Sequence, residues 1–296
     1  MKNSYDKIQF ELEVLKKKLI SEKEKEKKFI PNFVNKYIVG FLIYTKIYHK
    51  LISSGLKDDW FEEFNYFWKN YLNGRPLYFN DFSYLLGVYR QKFQNISVVD
   101  NPDKKNFLTP WQSSESLYLL FGAVRKYSYE PFSFFNIDKY LKNKTKFLEY
   151  GCGIAPISYS ILNYSSKKPE IYYADILQIN SIYAQYRLKG KAKFIELLPE
   201  NYNLNLPNDF EVITIKTVLE HLTDPLDCIK YLTSILKKNG VLILDYVISE
   251  GKGLDTIESL NQRKEVIEFL NNNFLVLEGS LNYDKTINLA VLKKNK

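Results

Sequence analysis

The segment Phe147-Leu-Glu-Tyr-Gly-Cys-Gly-Ile154 decides the fold of this chain. Its apolar start predicts a β-strand, and its end places Gly151 and Gly153 where the chain must turn. Glycine reaches backbone angles closed to other residues and leaves no side chain between the main chain and a ligand. The helical pattern that follows would point its amide groups at whatever occupies the turn. The segment therefore predicts a strand–turn–helix unit that holds a ligand.

The turn differs from the dinucleotide-binding fingerprint, because Ala155 stands where a third glycine is expected. It contains an acid instead, Glu149, two residues before Gly151. A second predicted strand, Ile171-Tyr-Tyr-Ala-Asp175, ends in another acid. An acid about twenty residues after the glycine turn is placed to bind a ribose. The pattern favours a ligand bound through its ribose over a dinucleotide bound through its pyrophosphate at a G-x-G-x-x-G turn.

Strands and helices alternate from residue 146 onward, which predicts a parallel sheet covered by helices on both faces. The predicted strands are 146–150, 170–174, 192–197, 210–215, 241–247, 273–278 and 286–293, and the predicted helices are 156–163, 178–188, 225–238 and 256–271. The helix at 225 is the best marked, with Asp224 as its cap, Pro225 in its first turn and Gly240 at its end.

Four segments in this order resemble the class I S-adenosylmethionine-dependent methyltransferases: Glu149-Tyr-Gly-Cys-Gly153, Tyr172-Tyr-Ala-Asp175, the run from Phe210 to Pro225, and Leu236-Lys-Lys-Asn-Gly-Val-Leu-Ile-Leu244. The resemblance covers roughly residues 140–296. It implies an α/β fold, a Rossmann-like seven-stranded methyltransferase sheet that ends in an antiparallel hairpin, with S-adenosylmethionine as cofactor. The alternative is a catalytically inactive scaffold or regulatory protein that retains the fold.

The resemblance also implies which residues hold the cofactor. Ligands of open parallel sheets collect at the carboxyl ends of the strands. The residues expected there are Glu149, Gly151, Gly153, Asp175, Lys216 and Thr217. Glu149 would lie near the cofactor's amino group, and Asp175 would accept hydrogen bonds from both ribose hydroxyls.

Two of these assignments, and the choice of an adenine ligand, leave alternatives. Asp175 would otherwise cap the helix at 178–188. Lys216 is either solvated or placed to bind an anionic group of the substrate. The adenine ligand remains open among three residues, which are Glu196, Glu200 and Asn201.

Glu220 and His221 are the candidate catalytic residues. The chain has only two histidines, and an imidazole with a pKa near 6.5 suits a general base. In some relatives this Glu-His pair helps to bind a metal together with an acid three residues before the Glu. Thr217 occupies that position here, so no metal is predicted. The alternative is that the pair only orders the loop after the fourth strand.

Residues 1–140 are predicted to form a mainly helical domain that binds the acceptor or mediates association, and residues 141–296 the cofactor-binding domain. Helices are predicted at 6–29, 33–53, 58–72 and 80–94. A last helix is predicted to start within Trp111–Glu115, with Ser113 or Ser114 as its cap, and to run to about Tyr127. The first helix ends in a charged run and offers a surface for a homo-oligomer. The segment Thr109-Pro-Trp-Gln-Ser-Ser114 is expected closest to the cofactor.

Composition and charge indicate where the protein is found and which classes of partner it binds. Two cysteines without metal or disulfide spacing, and a charged N-terminus without an apolar signal core, favour a cytoplasmic protein. The apolar run 37–44 is too short to cross a membrane and predicts a buried helix, with a membrane-surface helix as the alternative. A net charge of +8 with few arginines makes a nucleic-acid partner unlikely.

The predicted reaction is methylation of a small-molecule acceptor, with O-methylation of a sugar or glycan precursor, or of another polar metabolite, preferred. A large N-terminal domain implies a sizeable polar acceptor. The alternative is an RNA or protein methyltransferase that uses the more basic N-terminal half. Enzymes that methylate amino groups of bases carry an Asn-Pro-Pro-Tyr-type tetrad where this chain reads Lys216-Thr-Val-Leu219.

Overall fold

The computed structural model describes residues 60–78, 81, 84–89, 109–127, 135–198, 206–248 and 254–295. Within them, no helix is long and apolar enough to cross a membrane. The predicted helices at 6–29 and 33–53, the apolar run 37–44, and Glu200 and Asn201 lie outside the described residues. The domain boundary at residue 140 stays a prediction.

The described residues belong to two compact units, one with residues 60–89 and 117–127 and the other with 109–116 and 135–295. In chain order the helices are α1 (Trp60–Tyr71), α2 (Thr109–Gln112), α3 (Leu117–Tyr127), α4 (Phe135–Asp138), α5 (Pro156–Tyr164), α6 (Ile179–Leu188), α7 (Pro225–Ile235) and α8 (Ile257–Asn273). The strands are β1 (Lys146–Tyr150), β2 (Glu170–Asp175), β3 (Lys193–Glu196), β4 (Phe210–Ile215), β5 (Leu236–Tyr246), β6 (Phe274–Gly279) and β7 (Ile287–Lys294).

In the first unit, aromatic side chains join α1 to α3. Phe121 of α3 packs on Phe64 and Trp68 of α1, with ring centroids 5.5 and 5.9 Å apart. The chain leaves α1 through Asn73, whose φ is 52°, and the amide of Gly74 donates to the carbonyl of Trp68 at 2.8 Å. This left-handed residue followed by a capping bond ends the helix as the sequence predicts.

The second unit is built on a seven-stranded sheet in the order β3-β2-β1-β4-β5-β7-β6. Strands β1 to β5 are parallel, and β7 is antiparallel to both β5 and β6. The sequence-based prediction of a Rossmann-like methyltransferase sheet that ends in an antiparallel hairpin is confirmed. Strand order reverses at β1, so the carboxyl ends of β1, β2 and β4 meet at one edge.

Alternate residues of the central strands supply two apolar cores, one on each face of the sheet. Leu148 of β1 and Ile213 of β4 pack in the core that contains residues of α7 and α8. Phe147 and Val212, their chain neighbours, pack in the core that contains residues of α4 and α5. Burial on both faces explains why these strands read as continuous apolar runs.

The predicted end of the helix that starts at residue 225 was wrong. Helix α7 ends at Ile235 rather than 238, because Leu236 turns to extended angles and pairs with Phe210 of β4. Gly240, predicted to end that helix, therefore lies inside β5. Asp224 does occupy the cap position of α7, but its side chain makes no capping hydrogen bond there.

The helix predicted to end at about Tyr127 is present as α3, but it starts later than a cap at Ser113 or Ser114 predicts. Helix α2 ends at Gln112, a 3-10 turn covers Ser114–Ser116, and α3 starts at Leu117. Ser113 does not act as an acceptor cap, because its hydroxyl donates back to the carbonyl of Pro110 at 2.8 Å. The proline-led segment thus forms a separate short turn that belongs to the unit with the sheet.

Candidate active site

The chain turns sharply after β1 at three residues with left-handed backbone angles. The φ angles are 63° at Gly151, 54° at Gly153 and 51° at Ala155. A Cβ atom on Gly151 would lie 2.2 Å from Cγ2 of Val218, whereas nothing lies within 4 Å of the corresponding position on Gly153. Gly151 is therefore required for packing against the loop after β4. Gly153 leaves open space beside the main chain that a ligand can fill.

Asp175, at the end of β2, binds this turn directly. Its Oδ2 accepts a hydrogen bond from the amide of Gly153 at 2.6 Å, and its Oδ1 accepts from Nε2 of Gln178 at 3.1 Å. Burial raises the pKa of Asp175 to about 6, although both hydrogen bonds act in the opposite direction. Asp175 does not cap α6, because Gln178 occupies the cap position. The backbone amide of Gln178 donates to the hydroxyl of Ser181 at 3.1 Å.

One further buried acceptor follows Asp175, and sequence reasoning missed it. Oδ1 of Asn180 has no hydrogen-bond partner among the described residues, although Asn180 is only 7% exposed. A buried acceptor without a partner is costly, so this oxygen is available to a donor. Glu196, the described member of the three predicted adenine ligands, is exposed and lies beside Asp175 in the register of β2 and β3.

Glu149 has a structural partner on α5. Its Oε1 accepts from the amide of Ile157 at 3.2 Å, and its Oε2 accepts from the amide of Ser158 at 2.7 Å. The carboxylate thereby satisfies amides in the first turn of α5, where a negative charge also suits the helix dipole. A carboxylate has about four acceptor positions, so a further contact of Glu149 with a ligand's ammonium group stays a prediction.

Lys216 and Thr217 follow β4 beside the glycine turn. Lys216 is half-buried and makes no hydrogen bond or ion pair with the described residues. Thr217 is exposed, has a φ of 55°, and its amide donates to Oδ1 of Asp245 at 2.5 Å. This bond fixes the loop that brings Val218 against Gly151. The part of either residue in cofactor binding stays a prediction.

His221 is held from two sides. Its Nδ1 lies 2.8 Å from Oδ1 of Asp255 and 3.2 Å from the carbonyl oxygen of Leu254. The ring of Trp111 meets the imidazole edge to face, with centroids 5.2 Å apart and planes at 70°. Burial disfavours the charged imidazole, but Asp255, Glu220 and the Leu254 carbonyl together raise the pKa of His221 above its ordinary value.

Glu220 is buried beneath this turn at 3% exposure. Burial raises its pKa above the ordinary value, with the charge of His221 acting in the opposite direction. Its Oε2 has no hydrogen-bond partner, and the side chain lines a narrow crevice with Tyr246 and Arg263. Among the residues the structure describes, no group of three or more His, Cys, Asp or Glu could hold a metal ion.

The segment 109–116 crosses the carboxyl edge of the sheet. Nε2 of Gln112 donates to the carbonyl of Leu177, after β2, at 3.0 Å, while Trp111 packs on His221, after β4. The segment therefore spans the carboxyl edge between the ends of β2 and β4. Its closeness to the cofactor stays a prediction.

Residues 124–279 match a family model described as a methyltransferase domain, which covers more than half of the chain. The chain belongs to this methyltransferase family. It is a class I S-adenosylmethionine-dependent methyltransferase, as the four sequence segments predict.

The fold of this methyltransferase also resembles solved structures at low sequence identity. The cyclase SpnF is 18% identical over 47% of this chain and 55% of its own, with a TM-score of 0.38. An S-adenosylmethionine-dependent methyltransferase from Clostridium acetobutylicum is 12% identical over 61% of this chain and 98% of its own, with a TM-score of 0.42. An rRNA methylase from Streptococcus thermophilus is 15% identical over 54% of this chain and 95% of its own, with a TM-score of 0.40. A comparison with curated protein sequences finds no match.

The residues at the carboxyl edge fit the cofactor that the family implies. The open space beside Gly153 admits a ligand against the main chain. The Asp175 carboxylate and the Oδ1 atom of Asn180 offer acceptors to the hydroxyl and amino groups of a nucleoside. The methyltransferase therefore has, on the described residues, a place and partners for S-adenosylmethionine.

Proposed function

We propose that this methyltransferase O-methylates a polar small molecule, with a hydroxyl of a sugar or glycan precursor as the preferred acceptor. The observation that carries the proposal is the position of His221. Its ring lies at the carboxyl edge against Trp111, and the hydrogen-bond partners that the described residues offer to the ring both lie at Nδ1. A hydroxyl must lose its proton as its oxygen is methylated, and an imidazole is suited to accept that proton.

When bound, S-adenosylmethionine supplies the methyl group, and its sulfur keeps the electron pair of the broken carbon–sulfur bond. The protein then has three tasks. The glycine turn and Asp175 position one reactant, the segment with Trp111 limits access of water, and His221 accepts the acceptor's proton. Alignment of this kind contributes much of the acceleration of two-reactant enzymes. The charge of Glu220, which is buried beside His221, stabilises the imidazolium that results.

A polar acceptor agrees with the composition of the site's edge. Gln112 and Thr217 are exposed there, and Lys216 is half-buried without a partner among the described residues. Such groups suit hydroxyl and phosphate substituents of a sugar derivative better than an apolar molecule. A cation at Lys216 would favour an acceptor that carries a negative charge.

The test is an acceptor screen with the full chain. Purified protein is incubated with S-adenosylmethionine carrying a trideuterated methyl group and with pools of sugar nucleotides, free sugars, RNA oligonucleotides and peptides. We expect products heavier by one labelled methyl in the sugar pools, with the label on oxygen by NMR. Labelling of RNA or peptides instead, or on nitrogen, would refute the proposal.

A further inference from the structure

The partners of the His221 ring determine which of its nitrogens carries a proton. Both groups within hydrogen-bond distance of Nδ1, the Asp255 carboxylate and the Leu254 carbonyl, are acceptors. Nδ1 must therefore be the donor in the neutral ring, which leaves the lone pair on Nε2. The side chains of His221 and Asp255 are only 18% and 20% exposed, so water competes weakly for this bond.

The backbone around the pair is fixed by bonds on both sides of His221. The amide of Thr256 donates to the carbonyl of Glu220 at 2.9 Å, and its hydroxyl donates to the carbonyl of Leu222 at 2.6 Å. The same hydroxyl accepts from the amide of Ser259 at 3.1 Å, which caps α8. Asp255 directly precedes Thr256, so these bonds at the start of α8 hold Asp255 next to His221.

Within the part of the chain that the structure describes, the charged and polar groups that face His221 are Asp255, Glu220 and the carbonyl of Leu254, and the ring of Trp111 also packs on it. Burial alone would lower the pKa of His221, and the three oxygen groups outweigh it. A carboxylate within hydrogen-bond distance of an imidazole both orients the ring and increases its basicity.

We propose that Asp255 is a positioning residue that holds His221 in the Nδ1–H form and presents Nε2 to the acceptor hydroxyl. The proton of that hydroxyl moves to Nε2 as the oxygen forms its bond to the methyl carbon, and the ring later releases the proton to solvent. The proposal rests on the proposed function for the identity of the proton donor. The tautomer and its dependence on Asp255 hold independently of any acceptor.

The two-histidine composition makes a direct test possible. In a His49→Gln background, the full chain labelled with ¹⁵N-histidine contains a single imidazole. Its ¹⁵N spectrum reports the tautomer, and a pH titration reports the pKa. We expect the Nδ1–H tautomer, and we expect Asp255→Asn to lower the pKa of His221 by about one unit or more. Asp227→Asn, a change of an exposed carboxylate on α7, is the matched control and should leave the titration unchanged.

The outcomes separate the two proposals. An Nε2–H tautomer in the otherwise wild-type ring overturns the inference, and this measurement does not depend on whether the variants fold. An unchanged pKa in folded Asp255→Asn overturns it as well. If the tautomer and the pKa shift are as expected but no hydroxyl acceptor is methylated, the positioning role stands and the proposed function fails. With an acceptor in hand, Asp255→Asn should lower turnover more than it changes the acceptor's KM, and Asp255→Glu should restore part of the loss.

Discussion

The carboxylate of Asp175 and the amide of Gly153 are joined by a hydrogen bond of 2.6 Å. This bond links the end of β2 to the glycine turn after β1, so the two elements that are predicted to hold the cofactor are fixed to each other. Gly153 sits beside open space, and Asp175 is buried with a raised pKa. The site thus combines a rigid main chain with a carboxylate that is costly to keep ionised.

The two glycines of the turn should respond differently to the same substitution. Gly151→Ala and Gly153→Ala both place alanine at a left-handed φ, which costs about 1–2 kcal/mol. Gly151→Ala also forces a methyl group against Val218, which adds about 1–3 kcal/mol of overpacking. Thermal unfolding should therefore show the larger loss for Gly151→Ala, and Val218→Ala should recover part of it. Equal losses in the two variants would contradict the packing role of Gly151.

Asp175→Asn should stabilise the cofactor-free protein at neutral pH. The folded-state pKa is about 6, above the ordinary value of 3.8, so between these values the folded state binds more protons and stability falls as pH rises. Removing the charge should gain about 1–3 kcal/mol above pH 6. Denaturant unfolding from pH 4 to 8 checks this, and a variant with the wild-type pH dependence would show the prediction wrong.

His221→Ala should lower turnover by about 10²–10⁴, because a general base contributes that much to proton removal. S-adenosylmethionine affinity should stay nearly unchanged, since the predicted cofactor contacts lie at the glycine turn and Asp175. Turnover comes from product formation and affinity from calorimetry, with His49→Gln as the control for loss of a histidine. A fully active His221→Ala enzyme would leave only the loop-ordering role of Glu220 and His221.

Trp111→Ala should raise the acceptor's KM or lower turnover, because it removes the ring that packs on His221 over the carboxyl edge. Trp111→Phe retains an aromatic ring and should retain most of the activity. Steady-state kinetics with the acceptor found in the screen measure both. If both variants have the KM and the turnover of the wild type, Trp111 serves only to anchor the segment.

The sheet was predictable from the sequence because each strand carries its own local signal. The apolar runs of β1, β2 and β4, the acids that end two of them, and the glycines of the turn are all contiguous patterns. The end of α7 was not predictable, because Leu236 leaves the helix to pair with Phe210, a residue remote in sequence. Helix signals act locally, and a strand partner can override them.

Within the site, the sequence identified the residues that lie next to a recognisable motif and missed those brought in by packing. Asp255 reaches His221 only because Thr256 ties the start of α8 to the turn at 219–221. Asn180 became a candidate only because its Oδ1 atom is buried without a partner among the described residues. No local spacing encodes either relationship, since both depend on tertiary contacts.

The most direct test of the central claim is calorimetric titration of the full chain with S-adenosylmethionine and with S-adenosylhomocysteine. We predict saturable one-site binding of both by the wild-type protein. Asp175→Ala should weaken binding about tenfold or more, because lost hydrogen bonds to a charged group are worth roughly 1.5–3 kcal/mol. Absence of binding by the wild-type protein, or unchanged affinity in a folded Asp175→Ala variant, would contradict the assignment of this edge as the cofactor site.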